Sequence, residues 1–275
     1  MVDHVNSCHF VFLSFVPDGN SMAEWPDRDS TGSVSPRMSS NRGVIMEITN
    51  LYSQFCPVSM AFEVFCTRWT PLVVRELLCG STRFNDIRKG VPKMSPSLLS
   101  RRLKELEKAG VVDMIETSRG TMEYHLTEAG EELHPLVIGI GNWEQRWVES
   151  RLSLRNLDPS LLMWDIRRNF DPEPRPESRC TIQFLYPELN ENLKDWWLVV
   201  EKNETDLCKF DPGYEVDILV TADLRAMFSV WMGISKLSDE IDARQVQIDA
   251  VPALQAQLMK WLKLSVFAPQ TRRVD

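Results

Sequence analysis

The feature that most constrains this chain is the run from Ser95 to Gly110, SPSLLSRRLKELEKAG. Ser95 is a good helix N-cap, and Pro96 suits the first helical position, where a missing N–H costs nothing. Leu99, Leu103 and Leu106 recur at i, i+4 and i+7, one buried stripe on a helix running from about Ser95 to Ala109. Gly110 supplies the C-terminal stop. The opposite face presents Ser97, Ser100, Arg101 and Lys104, with Arg102 on its flank.

The flanking sequence gives that helix a setting. Val58 to Cys66 and Trp69 to Leu78 read as apolar helices separated at Thr67-Arg68, and Arg83 to Lys89 as a short helix stopped by Gly90-Val91-Pro92. Beyond Gly110, Val111 to Glu116 and Met122 to Leu126 read as two strands of a hairpin with Arg119 exposed near its tip. Thr127 caps a last helix, on which Leu133, Leu136, Val137, Ile140, Trp143 and Trp147 share a side. That is too much apolar surface for a lone terminal helix, and a two-fold partner is the economical cover. Short helix, amphipathic helix and basic-tipped hairpin in this order predict a winged helix-turn-helix. Small hydroxyls at the positive end of a helix dipole, with arginines one turn on, suit entry into a DNA major groove. Arg119 would reach the minor groove or its phosphates.

The net charge of -8 argues against a nucleic-acid partner only as an average. Arg83 to Lys104 carries seven basic residues (Arg83, Arg88, Lys89, Lys93, Arg101, Arg102 and Lys104) against the single acid Asp86. Phosphate attraction follows the local field, because charges beyond about 10 Å are largely screened. Arg83, Lys93, Ser95, Ser97, Ser100, Arg101, Arg102, Lys104 and Arg119 are thus the candidate contacts to double-stranded promoter DNA, with Lys89 a further phosphate candidate.

Several elements match a known family: Cys56-Pro57-Val58, Arg68-Trp69-Thr70, Arg75-Glu76-Leu77-Leu78, Arg83-Phe84-Asn85-Asp86-Ile87, Ser95 through Leu103, Glu123-Tyr124-His125-Leu126-Thr127, and Gly130. From about Phe55 to Trp147 the chain resembles the HxlR-type winged-helix regulators, a branch of the MarR-like group. The resemblance implies a bacterial, dimeric transcription regulator acting at promoters, more often a repressor. It departs from the family before Trp69, where Cys66-Thr67-Arg68 replaces the usual glycines and leaves the turn open.

At 275 residues, 43% hydrophobic and 25% charged, the chain is long enough for two domains with real cores. Residues 1–45 lack a periodic apolar face and are rich in Ser, Pro, Gly and Asp between Asn20 and Asn41. They read as a disordered extension, with Met46 an alternative start. The winged helix takes 46–152. Residues 153–275 read as an α+β domain: a lead-in helix from Leu154 to Arg168, and strands at Cys180 to Leu185, Trp196 to Glu201, Asp206 to Phe210 and Glu215 to Thr221. A helix from Asp223 to Trp231 follows, then Ile234 to Asp239, a short strand at Gln245 to Ile248 and a last helix from Val251 to Leu264. Val216 through Asp223, followed by Met232-Gly233, is similar to the sterol-carrier-protein-type lipid-binding fold, which implies a hydrophobic small-molecule effector. Trp196, Trp197, Met227, Phe228 and Trp231 are the candidate pocket residues; a filled core is the alternative use of the same side chains. Since neighbours on a strand point to opposite faces, one of Trp196 and Trp197 must leave the sheet's inner side.

The remaining chemistry is sparse. No apolar run is long enough to span a bilayer. The six cysteines stand singly, which fits a reducing cytoplasm. Cys56, just before a helix start, is the candidate redox residue, with a buried apolar role as the alternative. Four scattered histidines offer no metal-ligand spacing, and no nucleophile elbow, phosphate loop or cofactor motif indicates an enzyme. A lipid carrier that uses the winged helix only to dimerise is the competing reading.

Overall fold

The computed structural model describes residues 52, 54–118, 120–148, 157–202 and 204–274. The N-terminal 45 residues, Met46, Arg119 and the expected domain border at 152 lie outside the described residues.

The first half builds α1 (Pro57–Phe65), α2 (Thr70–Leu78), α3 (Phe84–Gly90) and α4 (Pro96–Lys108), then the antiparallel hairpin β1 (Val112–Glu116) and β2 (Met122–Leu126). The short α5 (Glu128–Glu131) and α6 (His134–Trp147) follow. Its core joins Val73, Val74 and Leu77 of α2 to Ile87 of α3, the α4 stripe Leu99, Leu103 and Leu106, and Tyr124 of the hairpin. The α4 ends are set by side-chain and backbone chemistry. Ser95 Oγ accepts from Leu98 N at 3.3 Å. Gly110, at φ 72°, lets Val111 N reach Leu106 O and Gly110 N reach Glu107 O, both at 2.9 Å, which closes the last turn.

Two local expectations change. The turn left open by the missing glycines is made by Trp69 at φ 78°, a left-handed conformation that costs a non-glycine residue about 1–2 kcal/mol. The Arg68 guanidinium lies 5.7 Å from the Trp69 ring centroid, and Arg102 Nε donates to Arg68 O at 3.2 Å, tying this turn to α4. The single helix expected after Thr127 is two, because Pro135 can open a helix but cannot continue one. On α6, Leu133 and Val137 pack toward the core, whereas Leu136, Ile140, Trp143 and Trp147 are 53%, 57%, 60% and 54% exposed.

The second half is α7 (Pro159–Asn169), β3 (Cys180–Leu185), β4 (Asp195–Val200), β5 (Thr205–Cys208), β6 (Ile218–Ala222), α8 (Leu224–Trp231), α9 (Leu237–Asp242), β7 (Val246–Asp249) and α10 (Pro252–Trp261). The sheet order is β5-β4-β3-β6-β7, with β3 and β6 parallel and the other pairs antiparallel. Alternation puts Ile182, Phe184, Leu198, Val200, Ile218 and Val220 inward, into a core with the helices on either side of the sheet in sequence. The α+β class expected for this half holds. The helix expected over Ile234 to Asp239 begins three residues later, as α9 from Leu237 to Asp242, after Gly233 at φ 69°.

Among the described residues the two halves touch along α7 and along α6. α7 lies on α2 and α3 through polar groups described below. The end of α8 and the segment after α10 lie along α6: Gln145 Nε2 donates to Met232 O at 3.0 Å, Arg146 donates to Gln270 Oε1 at 2.6 and 3.0 Å, and Arg273 N donates to Arg146 O at 2.8 Å.

Candidate nucleic-acid interface

The outer face of α4 is built by exclusion. Once Leu99, Leu103 and Leu106 are buried, the helix period leaves Ser97, Arg101 and Lys104 exposed and Ser100 half-buried. Ser95 and Ser97 sit at the helix start with their hydroxyls 3.3 Å apart, where backbone N–H groups and the dipole favour an anion. Arg101 projects with its side chain 62% exposed and only a loose approach to Glu105, at 4.0 Å.

Arg102 is placed differently. Its side chain is mostly covered, and its guanidinium is held by Arg68 O and by the Glu105 carboxylate. It braces α4 in this geometry. Lys89 is likewise engaged, by Asp86 Oδ1 at 2.9 Å and the Trp164 ring at 4.7 Å. Arg83, at the N-cap of α3, approaches Glu123 Oε1 at 3.7 Å across the bridge between 83 and 123. Arg88, Lys93 and Lys104 are exposed and pair with no described carboxylate. The basic field is therefore smaller than the sequence window implied, because Glu105 and Glu123 fold back onto it.

The wing is formed as expected. Thr117 N donates to Thr121 O at 2.8 Å, and the two threonine hydroxyls meet at 2.6 Å beneath the tip. His125 sits on β2 with Nε2 3.2 Å from Glu123 Oε2, a partner within the strand.

Cys56 is exposed at the N-cap of α1, and the backbone N–H groups of Ser59 and Val58 hold its thiol below the ordinary range. Burial pushes the other described thiols up: Cys79 to about 12, Cys180 to about 11, and Cys66 and Cys208 in the same direction. Cys56 is thus the described thiol with the most thiolate at neutral pH. Among the described thiols, alkylation with iodoacetamide at pH 7.5 is expected to modify Cys56 first and to leave Cys79 and Cys180 for last, as peptide mass mapping would read.

The candidate pocket residues divide. Trp196, Met227 and Trp231 are buried in the C-terminal core, with Phe228 packed against it. Trp197 pairs with Gln183 and Cys208 on the sheet's other face and is also buried, so the five do not line one space. A shallow cleft of about 510 Å³ lies on that outer face, bounded by Gln183, Asp217, Leu219, Asp249 and Val251. No group of metal-ligating side chains occurs among the described residues. No described helix is long and apolar enough to cross a membrane.

Known proteins place this geometry. The HxlR-like helix-turn-helix family model matches residues 64–152. The uncharacterised HTH-type transcriptional regulator YvaP of Bacillus subtilis (strain 168) is 40% identical over 100 residues, which span 35% of this chain and 93% of that protein. The HTH-type transcriptional regulator YodB of the same organism is 31% identical over 97 residues, 34% of this chain and 87% of its own length. The solved reduced form of YodB is 30% identical over 34% of this chain and 93% of that one, with a TM-score of 0.30. Taken with the capped, leucine-striped α4 and the hairpin beside it, the match over nearly the whole of YvaP means that this chain belongs to the HxlR-like helix-turn-helix family of DNA-binding transcriptional regulators.

Proposed function

We propose that the chain is a homodimeric, sequence-specific regulator, most simply a repressor, whose unit 46–152 reads promoter DNA and whose unit 153–275 sets its activity. The observation that carries this reading is the exposed Ser97, Arg101 and Lys104 face of α4, held rigid by a capped start and a fully buried leucine stripe. Ser95, Ser97 and Ser100 approach the groove with the helix N-terminus, Arg101 reads a base, and Arg83, Lys93, Lys104 and Arg119 hold phosphates. The exposed apolar face of α6 supports a second copy, since two half-sites need two readers. A salt titration of binding to duplex DNA tests the reading. Log K should fall linearly with log salt, by about 0.9 for each phosphate neutralised. An absence of binding at low salt would favour the carrier alternative.

A hydrophobic effector acting on the sterol-carrier-like half belongs to this reading in a restricted form. Trp196, Met227 and Trp231 fill the core, so an apolar ligand has to part α8 from the sheet. Tryptophan emission during titration with long-chain fatty acids tests it, and no spectral shift up to their solubility limit removes it.

The lowered pKa and exposure of Cys56 favour a second input, thiol oxidation. Under this reading Cys56→Ser abolishes any oxidant response of DNA binding while leaving reduced-state affinity intact. An oxidant response that survives the substitution excludes it.

A further inference from the structure

Glu76, on α2, is fully buried, and a carboxylate without water must find its partners inside the protein. Its Oε1 accepts from Arg75 Nε at 3.0 Å and Nη2 at 2.6 Å, both from its own helix. Its Oε2 accepts from Trp164 Nε1 at 3.2 Å and Arg168 Nη1 at 2.8 Å, both from α7. Half of this buried carboxylate is therefore satisfied by the C-terminal domain. Asp165 binds Arg168 from below and holds the guanidinium in place.

The same cluster grips the end of α3. Gly90 lies against the Glu76 carboxylate so closely that a Cβ there would fall 1.9 Å from it, and Arg75 Nη2 donates to Gly90 O at 2.9 Å. Lys89 stands 4.7 Å from the centroid of the Trp164 ring, which Arg167 approaches at 5.0 Å. Gly90 begins the turn that leads to the Ser95 cap of α4, so whatever fixes Gly90 fixes the entry to the reading helix. The other side of α7 puts Leu162, Met163 and Ile166 into the C-terminal core, so α7 moves with that core.

We propose that Glu76 and Arg168 are positioning residues that form the joint through which the C-terminal domain sets the pose of the helix-turn-helix. The proposal rests on the DNA-reading role assigned above. With α7 docked, both oxygens of Glu76 are satisfied and the turn after α3 is clamped. With α7 displaced, Oε2 loses both donors and Gly90 loses its brace. These are two discrete arrangements, and anything that repacks the C-terminal core biases between them.

Two full-length variants separate positioning from simple stability. Arg168→Met removes one charge and leaves the cluster unbalanced. Glu76→Gln combined with Arg168→Met removes one charge of each sign, leaving Arg75 opposite Asp165, and should bring the thermal midpoint back toward wild type. Amide hydrogen exchange reads the joint without DNA. Both variants should exchange about tenfold faster at residues 88–95 while β1 and β2 keep wild-type protection. Unchanged exchange at 88–95 overturns the joint. If Arg168→Met does not fold, the balanced variant carries this measurement alone.

Binding to DNA selected by the wild-type chain reads the consequence. The balanced variant should stay about tenfold weaker in affinity even though its midpoint has recovered. Recovery of affinity along with the midpoint overturns the positioning role and leaves a structural ion pair. A wild-type chain that binds no DNA would sink the regulator reading, while exchange at 88–95 would still decide the joint.

Discussion

A chain carrying Ile140→Glu and Trp143→Glu is expected to sediment as a monomer and to bind its operator about 100-fold more weakly than wild type, the scale on which a second linked site contributes. Both side chains lie on the exposed face of α6, more than half open to water, whereas Leu133 and Val137 hold the same helix to the core. Glutamates at 140 and 143 should therefore leave the protomer folded, with an unchanged circular dichroism spectrum. Across a two-fold axis they would bring four carboxylates together in place of an apolar seam. A variant that still sediments as a dimer with wild-type affinity would show that this face is not the dimer contact.

How much of this was legible beforehand depended on how local each signal is. The α4 helix was readable almost to the residue, because Ser95, Pro96, the leucine spacing and Gly110 all act within one helix. The restart at α6 was not, although Pro135 was visible, because Glu128 and Gly130 sit happily in either one helix or two. The basic field was overestimated because Glu123 returns to Arg83 only when the wing folds. Glu76 stands within a family-matching element, but nothing in the sequence shows that it is buried or what it pairs with. It looks like a surface residue of an amphipathic helix until Arg168, 92 residues away, arrives beside it. In the second half the strands are legible in their apolar alternation: Cys180 to Leu185 matches β3 at both ends, and the other strands are displaced by one to three residues at their ends. The separation of Trp196 from Trp197 followed from strand geometry alone. What fills the space between sheet and helices could not be read, since aromatic side chains serve a core and a pocket equally well.

Arg101→Ala is expected to relax base preference at one position of each half-site, at a cost of about 1–3 kcal/mol there, and to leave other positions unchanged. Arg101 is the exposed guanidinium of α4, tied only loosely to Glu105 at 4.0 Å, so it is free to form two hydrogen bonds to a guanine. Lys93→Ala is the contrast. Lys93 carries an exposed ammonium with no described carboxylate partner, and its loss should weaken binding evenly across sequences and lower the salt slope by about 1. Competition binding against duplexes altered one base pair at a time reads both. An Arg101→Ala chain that keeps wild-type preference at every position would remove α4 as the reading helix.

The central claim is that two copies of this chain read DNA sequence through α4. Selection of bound duplexes from a randomised pool, using the full-length wild-type protein, tests it most directly. Two related half-sites in inverted orientation are expected to be enriched, with centres about 10–10.5 base pairs apart, or a multiple of that spacing. Recovery of bound DNA with no sequence enriched over the starting pool would contradict it.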